Sequence, residues 1–289
     1  MKNDVRRRHA RCALLAAVAV SLLPWCKQDA PVMAREPEQA TTVEIRPLPI
    51  LPPPAADVYW TMDRIVDGAL PDAAGLYAAT VPHLAGKKDA KRGGFLPDFR
   101  PANAPGVKGA ALALDREQQG FLSVTAAQSL DFTQGMTVAA WVKIESSSAL
   151  MNMISCAEDV PRPKGGWTLC YSYGRIIFRA VDSAGTLHAI ASPEQSVPAR
   201  VWVHVAAVAD ATMLRLYLNG VEVASKAFAG PIRMATTPMV IGNHAGIAGY
   251  RHAECPAFGG LMDEVKIFQK PLSAADVMAE SELALAPIR

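Results

Sequence analysis

Three features of the sequence predict an all-β sandwich of two large sheets. Many short apolar runs alternate with turn residues, an Asn-Gly pair joins two such runs, and only one convincing helix appears. With 289 residues, 51% of them hydrophobic, the chain has material for one large domain. No repeat of fixed period stands out, which argues against a propeller.

The elements follow in chain order. "VYWTM" from Val58 opens the body of the chain, and "KGAALALD" and "GFLSVT" follow. "MTVAAWVKIE" is apolar at both parities, which predicts a central strand buried on both faces. "LMNMISCA" and "GWTLCYSY" flank a turn-rich stretch centred near Pro163. "GRIIFRAV", "TLHAIAS", "VWVHVAAVAD" and "TMLRLYLN" come next, and Asn219-Gly220 turns the last of these into "VEVAS". "PMVIG" and "GGLMDEVKIF" complete the strands. The helix is "SAADVMAES", with Ser273 at its N-cap and Asp276 three residues on, the spacing of a capping box.

The N-terminus reads differently. "MKNDVRRRHAR" is basic, "CALLAAVAVSLLPW" is apolar, and "PVMA" offers Val32 and Ala34 to a signal peptidase. Residues 1–34 therefore read as a secretory signal, and the apolar run is short for a membrane span. Lipidation of Cys26 is the lesser alternative, because Trp25 sits where a small residue is expected. Prolines 37, 47, 49, 52, 53 and 54 make residues 35–55 an extended spacer. The domain is expected over 56–282 and a tail over 283–289. The implied location is secreted, periplasmic or cell-envelope, with no membrane span after cleavage. A net charge of +2, from 29 basic and 27 acidic residues, argues against nucleic acid as the main partner.

Asp263 and Glu264 lie side by side in the last strand. On a strict period of two, Leu261, Asp263, Val265 and Ile267 share one face, and Met262, Glu264, Lys266 and Phe268 the other. A carboxylate on an otherwise apolar face needs backbone N–H groups, a basic side chain or a metal ion. Glu264 is expected to be exposed or paired with a nearby Lys or Arg.

The order of "YWTMD", "GVKGAALALD", "LDFTQGMTVAAWVK", "VWVHVAAVAD", "LRLYLNGVEV", "PMVIGN" and "FGGLMDEVKIFQKPLSAADV" resembles the laminin-G-like jelly roll of the concanavalin A-like lectins and glucanases. The resemblance covers roughly Val58 to Glu280. It implies an antiparallel two-sheet jelly-roll sandwich with one short C-terminal helix. It also implies a structural Ca²⁺, with Asp263 as side-chain ligand and Asp63 and Gly109 contributing from two other segments. The alternative is that Asp263 accepts backbone hydrogen bonds and ties the chain ends together.

Three cysteines remain after the signal: Cys156, Cys170 and Cys255. A cross-strand disulfide between Cys156 and Cys170 is feasible about the turn near Pro163, leaving Cys255 free. Pairing of Cys255 with either of the others, or three reduced thiols, stays open.

No catalytic residue is nominated. The paired carboxylates of a glycosidase are not found on any strand; Glu145 stands alone, and Glu158 and Asp159 are adjacent. The serine elbow and the zinc-protease helix are absent. His204 reads as a core histidine, and His244 and His252 share one loop without a third metal ligand. Trp60, Trp141 and Trp202 read as core, and Trp167 as partly exposed.

Jelly rolls of this kind bind sugars on the concave sheet or at the rim, which is what the resemblance implies here. Arg175, Ile177 and Arg179 share one strand face, and Met213, Arg215, Tyr217 and Asn219 share another. Both faces are expected to be open to solvent. The loop from Asn243 to Ala257, with Asn243, His244, Tyr250, Arg251 and His252, is the candidate rim. Ordinary solvated strand positions and a plain connection are the alternative. The sequence thus points to a secreted, non-catalytic module that binds an extracellular glycan or another extracellular ligand. A protein-interaction or envelope-structural module of the same fold is the second reading, and a glycan-cleaving enzyme the third.

Overall fold

The computed structural model describes residues 52, 54–82, 99–118, 120–157, 163–243 and 257–283. The signal segment and most of the proline-rich stretch lie outside them. Among the described residues no helix is long and apolar enough to cross a membrane.

The strands are β1 (Val58–Trp60), β2 (Ala69–Leu70), β3 (Ala79–Thr80), β4 (Ala102–Pro105), β5 (Ala110–Leu114), β6 (Leu122–Val124), β7 (Met136–Ile144) and β8 (Leu150–Ala157). They continue as β9 (Gly166–Ser172), β10 (Arg175–Val181), β11 (Leu187–Ala191), β12 (Trp202–Ala209), β13 (Met213–Leu218), β14 (Val221–Ala227), β15 (Met239–Ile241) and β16 (Gly260–Phe268). Helix α1 spans Ala274–Leu283.

They form two antiparallel sheets. The first has the order β14-β13-β12-β7-β16-β5-β4, with β1 beside β16; the second has the order β11-β10-β9-β8-β15-β6-β3-β2. Between them lies one continuous core that includes Trp60, Val138, Val142, Trp167, Tyr171, Phe178, Leu216 and Phe258. Trp167 is fully buried, not partly exposed as the sequence suggested, because it points inward from β9.

Local chemistry fixes the turns. Asn219 and Gly220 both have positive φ, 48° and 80°, the geometry of the tight hairpin that Asn-Gly favours. Tyr173 and Gly174 do the same between β9 and β10, with φ of 47° and 93°. Pro105 ends β4 at the sheet edge, where a missing N–H costs no ladder bond.

Strand β7 is buried on both faces, as expected. Its outer face meets α1, where Ala139, Ala206, Val208, Tyr217 and Phe268 pack with Leu272 and Val277. The capping box forms: the Asp276 N–H donates to Ser273 Oγ (3.2 Å) and the Ser273 N–H to Asp276 Oδ2 (3.1 Å). Thr137 anchors the approach to the helix, donating to the Lys270 carbonyl (3.0 Å) and accepting from the Leu272 N–H (2.9 Å).

Candidate functional site

Strand register lines up side chains across a sheet face. On the outer face of the second sheet, one transverse row is Ala189, Arg179, Thr168, Ser155, Val240, Ser123 and Thr80. The next row is Ala191, Ile177, Cys170 and Asn152. Asn152 bridges to Ala257, and the Phe258 N–H donates to the Gly242 carbonyl (2.8 Å). The long loop therefore leaves at Asn243 and returns at Ala257 beside these rows. Ser155 Oγ donates to the Asn243 carbonyl (3.2 Å).

These outward positions are polar and yet enclosed. Thr168 and Ser155 are fully buried, Asn152 and Cys170 are 1% exposed, and Asn243 is 2% exposed. The Cys170 thiol donates to Asn152 Oδ1 (3.2 Å), and Arg179 Nη1 donates to Cys170 Sγ (3.4 Å). Burial pushes the thiol up from its ordinary value, and the Arg179 guanidinium opposes that. Asn152 Nδ2 is buried without a hydrogen-bond partner. A thiol is a weak acceptor, so the Arg179 fork retains donors for a carboxylate or paired hydroxyls. The row thus holds a buried, unpartnered amide donor close to a half-buried guanidinium.

Of the residues the sequence nominated for ligand binding, Asn243, Arg175 and Arg179 belong to this sheet. Arg175 sits beside Glu194 (3.5 Å). His244, Tyr250 and Arg251 lie outside the described residues, as do His252 and Cys255. Arg215 and Tyr217 belong to the first sheet, and their face is not open as expected. Tyr217 is 2% exposed because α1 covers it. Arg215 is held by Asp210 (2.5 Å) and lies near Glu222 (3.9 Å). Asn152, Ser155 and Thr168 were missed by sequence reasoning; the signal for them was a polar residue at alternate positions of otherwise apolar strands.

The proposed disulfide is also corrected. Cys156 and Cys170 are not joined by a disulfide; in the strand register Cys156 lies opposite Trp167 and Cys170 opposite Asn152. Cys156 belongs to the inner core, whereas Cys170 faces outward. A register shift between Asn152 and Ile154 separates the two thiols further from the symmetric placement the sequence suggested.

A second irregularity governs Asp263 and Glu264. Register shifts between Asp263 and Lys266, and Glu264 has φ of 49°. This bulge breaks the strict alternation, so Met262, Val265 and Ile267 all enter the core while Asp263 does not share their face. Asp263 is fully buried nonetheless. Its Oδ2 accepts from the N–H groups of Val107 (2.7 Å) and Lys108 (3.1 Å), and its Oδ1 from that of Glu264 (2.9 Å). Burial pushes the carboxyl up to about 6, against the pull of the Lys108 and Val107 bonds. Glu264 is 6% exposed, not surface-exposed; Oε2 accepts from the Tyr59 hydroxyl (2.6 Å), and Lys108 lies 3.8 Å away. Burial and that hydrogen bond push the Tyr59 hydroxyl well above the ordinary phenol value.

The implied calcium position can be tested on this geometry. Asp63 lies against Gly109 and accepts from the Ala110 N–H (2.8 Å). A Cβ on Gly109, whose φ is +67°, would overlap the Asp63 carboxylate. A calcium shell needs oxygens aimed at the ion. Here Val107 and Lys108 aim N–H groups at Asp263, and the Met62 carbonyl accepts from Asn103 Nδ2 (2.8 Å). Among the described residues no three His, Cys, Asp or Glu side chains converge as a metal group. In this structure the Asp263 carboxylate is held by three backbone N–H groups.

His204 is a core histidine, 2% exposed, and burial lowers it to about 3, with Lys266 contributing. It stacks obliquely on Trp141, ring centroids 5.5 Å apart.

Comparison with known proteins agrees with this architecture. Domain 4 of AbnA, a GH43 extracellular arabinanase from Geobacillus stearothermophilus solved with arabinotriose, superposes with a TM-score of 0.56 at 20% identity. The match covers 78% of this chain and 98% of that one. The botulinum neurotoxin serotype D ligand binding domain, solved with N-acetylneuraminic acid, gives 0.53 at 16% identity over 78% of this chain and 50% of that one. The botulinum neurotoxin type G receptor binding domain gives 0.52 at 14% identity, covering 79% of this chain and 51% of that one. The chain thus spans about half the length of the two toxin domains, and at these identities the likeness is one of fold. No curated protein matches the chain in sequence. A family model described as concanavalin A-like lectin/glucanases superfamily matches residues 116–278, more than half of the chain, and the chain belongs to that superfamily.

Proposed function

We propose that the chain is a non-catalytic recognition module that binds a carbohydrate outside the cytoplasm, using the outer face of the second sheet. The observation that supports this most is the enclosed polar row, with Asn152 Nδ2 unpartnered and Arg179 bonded only to a thiol among the described residues. Polar groups placed at that depth cost stability unless they are used. Domains of similar fold that were solved with arabinotriose and with N-acetylneuraminic acid support the ligand class by analogy. Delivery by residues 1–34 and absence of catalysis are parts of the same reading.

The test is a glycan and polysaccharide array probed with the full chain, with and without chelator. Binding to one glycan class, weakened about tenfold by Arg179→Ala and unaffected by chelator, is the expected result. A specific feature favours a second reading, a protein-binding module. Neither polar row carries an aromatic ring for stacking on a sugar. Silence across the array by a folded chain would select it.

A further inference from the structure

The first sheet carries a second transverse row on its outer face. Register aligns Trp202, Lys143, Leu261, Ala113 and Ala102 across β12, β7, β16, β5 and β4. Four steps of about 4.8 Å make it about 19 Å long. A cavity of about 390 Å³ lies over one end, lined by Phe99, Ala113, Lys143, Glu145, Arg200 and Leu261 among others. A cavity of about 450 Å³ lies at the other, lined by Trp141, Trp202, Asn219, Met278, Ser281 and Glu282. Lys143 and Trp202 are register partners, so the two cavities adjoin.

Beneath the tryptophan end are two buried nitrogens without hydrogen-bond partners, Trp141 Nε1 and His204 Nδ1. Their residues are 4% and 2% exposed. Asn219 Oδ1 accepts from the His204 N–H (2.9 Å), which fixes the amide at the same place.

We infer that this row is a second ligand groove, built for a neutral linear oligosaccharide. Ala102, Ala113 and Leu261 give the row an apolar stretch, with Phe99 lining one cavity and Trp141 and Trp202 the other, the kind of surface that sugar faces require. The rim mixes signs: Lys143 and Arg200 stand with Asp115, Glu145 and Glu282. Asp115 is committed to its own turn, accepting from the Glu117 N–H (2.8 Å) and Gln118 Nε2 (3.2 Å). Hydroxyls donate to carboxylates and accept from cations, so a neutral polyol uses both signs, whereas an anionic chain meets Glu145 and Glu282. An extended peptide finds little to pair with along β12, β7, β16 and β5, whose backbone groups are bonded on both sides; only β4, under Ala102, is an edge. The groove shares no residue with the polar rows of the second sheet, and its failure would leave that reading standing.

The full chain is titrated with xylotetraose, cellotetraose and tetragalacturonate, followed by tryptophan fluorescence and calorimetry. At least one neutral tetrasaccharide binds and shifts the emission. Trp202→Ala weakens that binding about tenfold and Glu145→Gln several-fold, while Lys226→Ala, on the edge strand β14 away from both sites, leaves it unchanged. Near-ultraviolet circular dichroism confirms that each variant is folded. The inference is overturned if neither neutral chain binds, if tetragalacturonate binds more tightly, or if Trp202→Ala and Glu145→Gln bind like wild type.

Discussion

The patch of the first sheet under α1 and the centre of the polar rows on the second sheet are about equally buried and chemically opposite. Under α1, the first sheet presents Ala139, Ala206, Val208, Tyr217 and Phe268 to Leu272 and Val277. The second sheet presents Asn152, Ser155, Thr168 and Cys170, each at most 1% exposed. An apolar face of this kind gains stability from burial alone. A polar one gains little net free energy and keeps donors that a ligand can use. Packing under α1 and the proposed recognition on the second sheet thus draw on opposite chemistry.

The largest break in this contrast comes from putting charge under the helix. Val277→Asp buries a carboxylate among apolar groups and should cost about 4 kcal/mol, read as a lower urea midpoint. Asp263→Leu leaves the Val107 and Lys108 N–H groups without their acceptor and should cost about 3 kcal/mol. The wild-type melting temperature should be the same in calcium and in chelator; a calcium-dependent rise would put a cation back at Asp263.

The second sheet should respond in the other direction. Asn152→Leu removes a buried unpartnered donor, so its stability should be equal to wild type or higher by about 1 kcal/mol. Its glycan binding should fall about tenfold in the same preparation. Loss of both stability and binding would mean that the polar row is structural.

The smallest effect is acid sensitivity at the β12–β13 turn. Burial alone would raise Asp210, but the bond from Arg215 and those from Thr212 and Met213 outweigh it and hold the carboxyl down to about 2. A value depressed below the unfolded one contributes stability that is present above pH ~4 and is lost as pH falls towards 2. Arg215→Ala should remove about 1 kcal/mol at neutral pH and flatten that part of the acid titration.

Thirteen strands and the helix were legible because each has a clear period or a turn signal, and the Asn219-Gly220 hairpin and Ser273 cap formed as read. Strands β2 to β4 were not, since "AL", "AT" and "ANAP" carry no pattern. The bulges defeated face assignment. Met262 and Val265 are core residues three apart, and that spacing was the available clue to an extra residue at Glu264. Tyr217 failed for another reason: its alternating strand looks half-exposed until a helix from distant sequence covers it. The polar rows depend on the register of several strands, which local periodicity does not contain.

The pairing of β1 with β16 has a mechanical consequence. Val58 faces Ile267 and Trp60 faces Val265, and the Asp57 N–H donates to the Ile267 carbonyl (3.0 Å). The start of β1 and the end of β16 therefore lie at the same end of the strand pair. A load applied between them opens this ladder one rung at a time instead of shearing all rungs together. Tension along the chain would first peel β1, carrying Trp60 out of the core, while the outer faces of β8 to β10 stay assembled.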